Sequence, residues 1–196
     1  MKYNKLILYS SMLLVLIFSI TAISATDLND TSNIDVLKDN EINNNSFSEF
    51  NQKIYVEESN SMDLDCDYKY DEKYDWDYAT GNQITKTNFV INGNGHTIDC
   101  NNQARAFNIT GNNTKINNLI IKNGFYELGS AISTKVSITL NNVTFINCSG
   151  NGTNNLGAVF TNGPLLTISN CKFINTSGTE GASVTAYYSA VNITNS

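Results

Sequence analysis

Carboxylates have the most capacity for chemistry in this chain, and they are unevenly spread. Asp63, Asp65 and Asp67 form a D-x-D-x-D run. That spacing opens a calcium loop of the EF-hand type, which needs Gly at its sixth position and a bidentate Glu at its twelfth. Tyr68 and Tyr74 stand at those positions. The run therefore reads as a solvated acidic strand face, and no metal ligand is assigned. From Asn101 to Ser196 there is no Asp, and Glu127 and Glu180 are the only acids. His96, the only histidine, lies beside Gly93 and Gly95 and outside any G-x-S-x-G context. It reads as an exposed turn residue. No catalytic residue and no cofactor site is assigned.

Two further sets could make contacts instead of bonds. Tyr74, Trp76 and Tyr78 follow Tyr68 and Tyr70 in a dense aromatic stretch and form a candidate contact patch. Asn112 and Asn151 lie in G-N-N-T and G-N-G-T loops and are candidate glycan sites.

The elements that must position these residues come from a repeat. Thr114–Asn123 (TKINNLIIKN), Thr139–Asn147 (TLNNVTFIN) and Thr167–Asn175 (TISNCKFIN) align, followed by a partial copy ending at Asn195. An apolar residue and an Asn recur together at Ile116/Asn118, Leu140/Asn142, Ile168/Asn170 and Ile193/Asn195. A second series runs alongside at Ala106-Phe107, Ala131-Ile132, Ala158-Val159 and Ser183-Val184. Both have a period near 25 residues, the mark of a solenoid. Within each repeat the apolar positions alternate every second residue, as in Val136, Ile138 and Leu140, which is the strand period and not the helical one.

These features predict an all-β, single-stranded right-handed parallel β-helix with short strands and coils of about 25 residues. Asn118, Asn142, Asn170 and Asn195 are expected to form a structural ladder at a buried corner. There Asn tolerates left-handed backbone and bonds to the Asn of the next coil. A buried Asn142 would not carry a glycan, although it sits in a sequon. Stacked coils rise ~4.8 Å each, so Glu127 and Glu180, about two coils apart, would lie near 10 Å with no third group between them. Glycoside hydrolysis or lyase chemistry needs more than that.

Residues 1–25 read as a signal peptide, with Lys2 and Lys5, an apolar run and small residues for cleavage. Residues 26–45 read as a flexible acidic, Asn-rich leader. Residues 46–58 read as a capping helix, from a Ser46/Glu49 capping box and the stripe Phe47, Phe50 and Ile54. Met62–Tyr70 alternates strictly and reads as one half-buried strand within a β-helix spanning 59–196. The repeat stops part-way through a coil, so a longer chain or end-to-end self-stacking is expected. No second apolar segment follows, so no membrane span is expected after cleavage. The net charge of −6 argues against nucleic acid. Four cysteines in an exported chain permit disulfides, yet Cys66 and Cys171 fall at aliphatic positions and read as buried small residues.

The ordered run DLDCDYKYDEKYDWDY, NFVINGNGHTIDC, ARAFNIT and NNLIIKNG resembles the N-terminal part of the adhesin-like proteins of methanogenic archaea, over about Phe47 to Ser196. The later coils are distantly similar to chlamydial polymorphic membrane protein repeats. They depart at Leu156-Gly157-Ala158-Val159, which has one Gly fewer, and at Asn147, one place early. The first resemblance implies a large secreted surface protein of pectin lyase-like architecture, with a role in attachment or envelope structure and a glycan or cell-surface protein as partner. The alternatives are a polysaccharide lyase or glycoside hydrolase built on the same fold, and a purely structural stalk.

Overall fold

The computed structural model describes residues 45–150, 152–153 and 155–196. The signal-peptide segment lies outside them, as does the acidic leader up to residue 44.

The chain forms a parallel β-solenoid of about five turns. One sheet is built from β1 (Ser61–Asp63), β4 (Val90–Asn92), β7 (Thr114–Lys122), β9 (Ile138–Ile146), β11 (Leu165–Ser169) and β14 (Ala190–Thr194), in that order. The short strands β2 (Tyr68–Lys69), β5 (Thr97–Asp99) and β12 (Lys172–Ile174) extend it around a corner. The other sheet is β3 (Asn82–Ile84), β6 (Phe107–Ile109), β8 (Ile132–Thr134), β10 (Val159–Thr161) and β13 (Val184–Ala186). Every pairing is parallel, one coil to the next.

The register stacks like on like inside. Ile91, Ile116, Leu140 and Ile168 form one buried column, and Ile98, Ile121 and Phe145 another. Phe145 lies flat on Phe173 of the next coil, with centroids 4.8 Å apart. In β7 and β9 two polar residues in succession, Asn117-Asn118 and Asn141-Asn142, break the alternation at the corner. The left-handed residue shifts the phase, so Ile116 and Leu119 both face inward on either side of it.

Met62–Tyr70 keeps the alternating burial expected of it but is not one strand. β1 ends at Asp63 and β2 starts at Tyr68, because the chain turns a corner of the coil between them.

The helix α1 (Phe47–Val56) covers the first coil, burying Phe47, Phe50 and Ile54. Phe50 packs on Tyr68 at 4.5 Å and on Phe107 at 5.9 Å, and Phe47 on Tyr70 at 5.5 Å. Ser46 Oγ accepts from the Glu49 N–H. The Glu49 carboxylate reaches back to the N–H of Asn45, one residue before the usual capping-box partner. Asn51 Oδ1 accepts the Gln83 N–H, capping a donor on the unpaired edge of β3. A short helix, α2 (Glu72–Asp75), and a 3₁₀ turn at Trp76–Tyr78 follow β2.

Candidate binding surface

Asparagine does the turning. Asn118, Asn142, Asn170 and Asn195 all have φ between 51° and 54°, the left-handed region expected at a corner. Asn142 Nδ2 donates to Asn118 Oδ1 at 2.8 Å. Asn170 bonds to Asn141 instead, at 3.1 Å. The expectation of burial fails: all four are exposed. The left-handed residue turns its own side chain outward, while Ile116, Leu119, Leu140 and Val143 fill the inside. Asn142 is therefore not shielded by burial, although its amide nitrogen is engaged.

A second ladder lies one corner further on. Asn175 Nδ2 donates to Asn147 Oδ1 at 2.8 Å, Asn147 to Asn123 at 3.5 Å, and Asn123 to Asp99 at 2.8 Å. Further rungs join Asn113 to Asn88 and Asn117 to Asn92, each at 3.1 Å. The Asn123, Asn147 and Asn175 ladder falls on the Asn that closes each repeat, a recurrence as regular in the sequence as that of the corner asparagines. Together these ladders line the outer faces with amides about one coil rise apart.

The aromatic stretch divides. Tyr68 and Tyr70 are buried under α1. Trp76 is 69% exposed and Tyr74 38%, with Lys73 Nζ 4.7 Å from the Tyr74 ring. Tyr78 packs partly against the core. Between them Asp75 is fully buried, accepting from the N–H groups of Phe47 (3.1 Å), Ser48 (2.8 Å) and Asp71 (2.9 Å). It staples α1 to the first coil. Nothing in the D-x-D-rich sequence marked it out.

Two grooves cross the coils. The first, of about 310 Å³, is lined by Asn88, Asn113, Lys115, Ser137, Thr139 and Leu165. The second, of about 320 Å³, is lined by Asp67, Lys69, Thr97, Asp99 and Lys122 beside Asn45 and Tyr68. In the second, Asp67 Oδ1 meets His96 Nδ1 at 3.0 Å and accepts the Thr97 N–H at 2.9 Å. His96 is thus a half-buried hydrogen-bond partner of Asp67 and not a bare turn residue. The Thr97 N–H, aided by His96, holds the Asp67 carboxyl below its ordinary value against a smaller push from burial. Burial works to raise Asp99. Asn123 Nδ2, the Asn101 N–H and Lys122, at 3.3 Å, outweigh it and leave that carboxyl low as well. A general acid needs the opposite shift. These carboxylates are set to accept hydrogen bonds.

No protein-family model matches this chain, and neither does any curated protein or solved structure.

Of the other expected positions, Asn112 is exposed and its Oδ1 accepts the Ser137 N–H at 3.2 Å. Asn151 lies outside the described residues. Glu180 accepts from the Tyr187 hydroxyl. Glu127 gives its backbone carbonyl to Arg105. Arg105, the only arginine, is 6% exposed and donates as well to the carbonyls of Thr80, Leu128 and Gly129, with the Tyr126 ring 4.5 Å from its guanidinium. It fixes the loop carrying Leu128 in its left-handed conformation. All four cysteines are free; Cys100, Cys148 and Cys171 are buried, with Cys171 Sγ 3.7 Å from the Leu140 carbonyl oxygen, whereas Cys66 is only half-buried and not the buried residue expected. Burial pushes the Cys148 thiol up to about 11. Among the described residues no helix is long and apolar enough to cross a membrane.

Proposed function

We propose that this chain is a non-catalytic β-helix of the cell surface that attaches to a glycan or to a neighbouring surface protein through its outer faces. The observation that supports this most directly is the set of exposed amide ladders, a regular lattice of donors and acceptors spaced by the coil. Such a lattice suits a repeating partner. The 69% exposed Trp76 adds a stacking surface of the kind that recognises sugar rings. The signal-like first 25 residues support export, and the resemblance carried by residues 47–196 implies a surface role in attachment or envelope structure.

A glycan-array screen with the full chain tests the reading. Selective binding that weakens in Trp76→Ala is expected. Silence across the array, together with no retention on intact cell envelopes, refutes attachment and leaves a structural stalk.

A further inference from the structure

The two grooves differ in what their cations do. In the second, Lys122 is paired with Asp99, and Lys69 sits among the same carboxylates. In the first there is one charged residue, Lys115, and no carboxylate lines the groove at all. Lys115 is exposed, and no ion pair joins it to any of the described residues. The coils around it share this bias. From residue 101 onward the cations are Arg105, Lys115, Lys122, Lys135 and Lys172 and the acids are Glu127 and Glu180, a net of +3 within a chain of net −6. Glu180 is occupied by Tyr187, and the Glu127 carboxylate lies near Gly152, beyond the groove.

The groove is also shaped for a polymer. Asn88, Asn113 and Ser137 come from three successive coils in register, and Leu165 extends the row to a fourth. It therefore runs along the solenoid, across the strands. A peptide recognised by strand addition would lie along a strand at a sheet edge, using backbone groups. This groove crosses the strands of several paired coils instead. The amides of Asn88 and Asn113, bonded to each other at 3.1 Å, keep outward donors and acceptors to spare. Ser137 and Thr139 add hydroxyls, while Val90 and Leu165 give small apolar surface suited to a sugar ring's face.

We propose that this groove binds an anionic polysaccharide lying along the solenoid axis, with Lys115 contacting a carboxylate or sulfate on one sugar and the asparagine row contacting the ring hydroxyls of its neighbours. This rests on the attachment reading above and names the ligand class and the face. An extended sugar chain advances by about one coil rise per residue, so consecutive sugars meet equivalent side chains of consecutive coils.

Affinity electrophoresis of the full chain through gels containing hyaluronate, dextran sulfate or neutral dextran tests this. Retardation by hyaluronate or dextran sulfate but not by dextran is expected, and which of the two acts identifies carboxylate or sulfate. Lys115→Gln, an exposed change that leaves the core untouched, should weaken binding about tenfold, the loss of one charge-assisted contact. Lys172→Gln, on the other leg of the coil, should leave binding unchanged. Wild-type retardation of Lys115→Gln, or an equal loss in Lys172→Gln, overturns the site. Equal retardation by dextran overturns the anionic preference while leaving attachment standing. No retardation in any gel overturns the inference, and the glycan array then decides separately whether attachment survives.

Discussion

The first coil and those after residue 101 solve one problem in different ways. At the first coil the core is closed by a helix, whose Phe47 and Phe50 rings plug the open end against Tyr68, Tyr70 and Phe107. Buried Asp75 and the Asn51 amide satisfy backbone donors there. The later coils use repetition instead: aliphatic columns inside, asparagine rows outside, each coil supplying the next one's hydrogen bonds. The contrast teaches that a solenoid end needs one-off interactions that concentrate stability in few residues. Its middle spreads stability over many equivalent ones.

Phe50→Ala should break this comparison most sharply. Phe50 is fully buried between the helix and two coils. Its loss should cost about 3–5 kcal/mol in chemical denaturation. A cost below about 1 kcal/mol would mean that α1 does not close the core. Asp75→Ala should follow at about 2–3 kcal/mol, since it strands the N–H groups of Phe47, Ser48 and Asp71. Hydrogen exchange should show α1 loosening first. Uniform loss of protection across all coils would show that the end is not a separate unit.

Acid separates the two regions, and alkali does not. Asp67 and Asp99 titrate below their ordinary value, so the stability they add is complete above about pH 4, where the unfolded carboxyls ionise, and is lost as pH falls through their lower folded values. Acid should therefore loosen the first coils. The buried thiols behave oppositely. Cys148, at about 11, and Cys171 are favoured as neutral thiols, so their contribution is complete below the unfolded value near 8.5 and is lost as pH rises towards 11. Burial favours the neutral forms of Cys100, Tyr68 and Tyr70 in the first coils as well, so alkali should loosen early and late coils alike, whereas acid should act first on the early ones. Hydrogen exchange corrected for intrinsic rates at pH 3.5 and pH 10 measures both, and the later coils opening first in acid would contradict the assignment.

Much of this was legible because the residues that make a solenoid repeat. Alternation located the inward columns, and the stripe Phe47, Phe50 and Ile54 located the helix and the face it buries. What stayed hidden has one cause: it depends on residues about 25 positions apart meeting across coils. Asp75 looked like its solvated neighbours until the helix N-terminus was set over it. Nothing in the run ARAFNIT shows the four loop carbonyls that gather around Arg105. Neither groove exists within one repeat. The asparagine ladder was legible in register and backbone geometry but not in exposure. A corner residue in the left-handed region can serve an inner or an outer ladder, and the periodicity is the same.

That exposure makes the ladder the site of the smallest expected effect. Asn142 has φ of 53° and gives one hydrogen bond, to Asn118. Two replacements separate these roles. Asn142→Gly keeps the backbone at ease and removes the rung; an exposed amide bond exchanged for water is worth little, and glycine adds some unfolded-state entropy. Asn142→Ala removes the rung and also forces a Cβ into the left-handed region, at about 1 kcal/mol or slightly more. The glycine variant should therefore melt within about 0.5 kcal/mol of the parent, and the alanine variant about 1 kcal/mol below it. If both lose the same large amount, the amide bond and not the turn is what Asn142 supplies, and the later coils depend on single residues after all. If both match the parent, corner geometry in the middle of the solenoid is set by the flanking columns of Leu140 and Val143, and asparagine is there for the outer face.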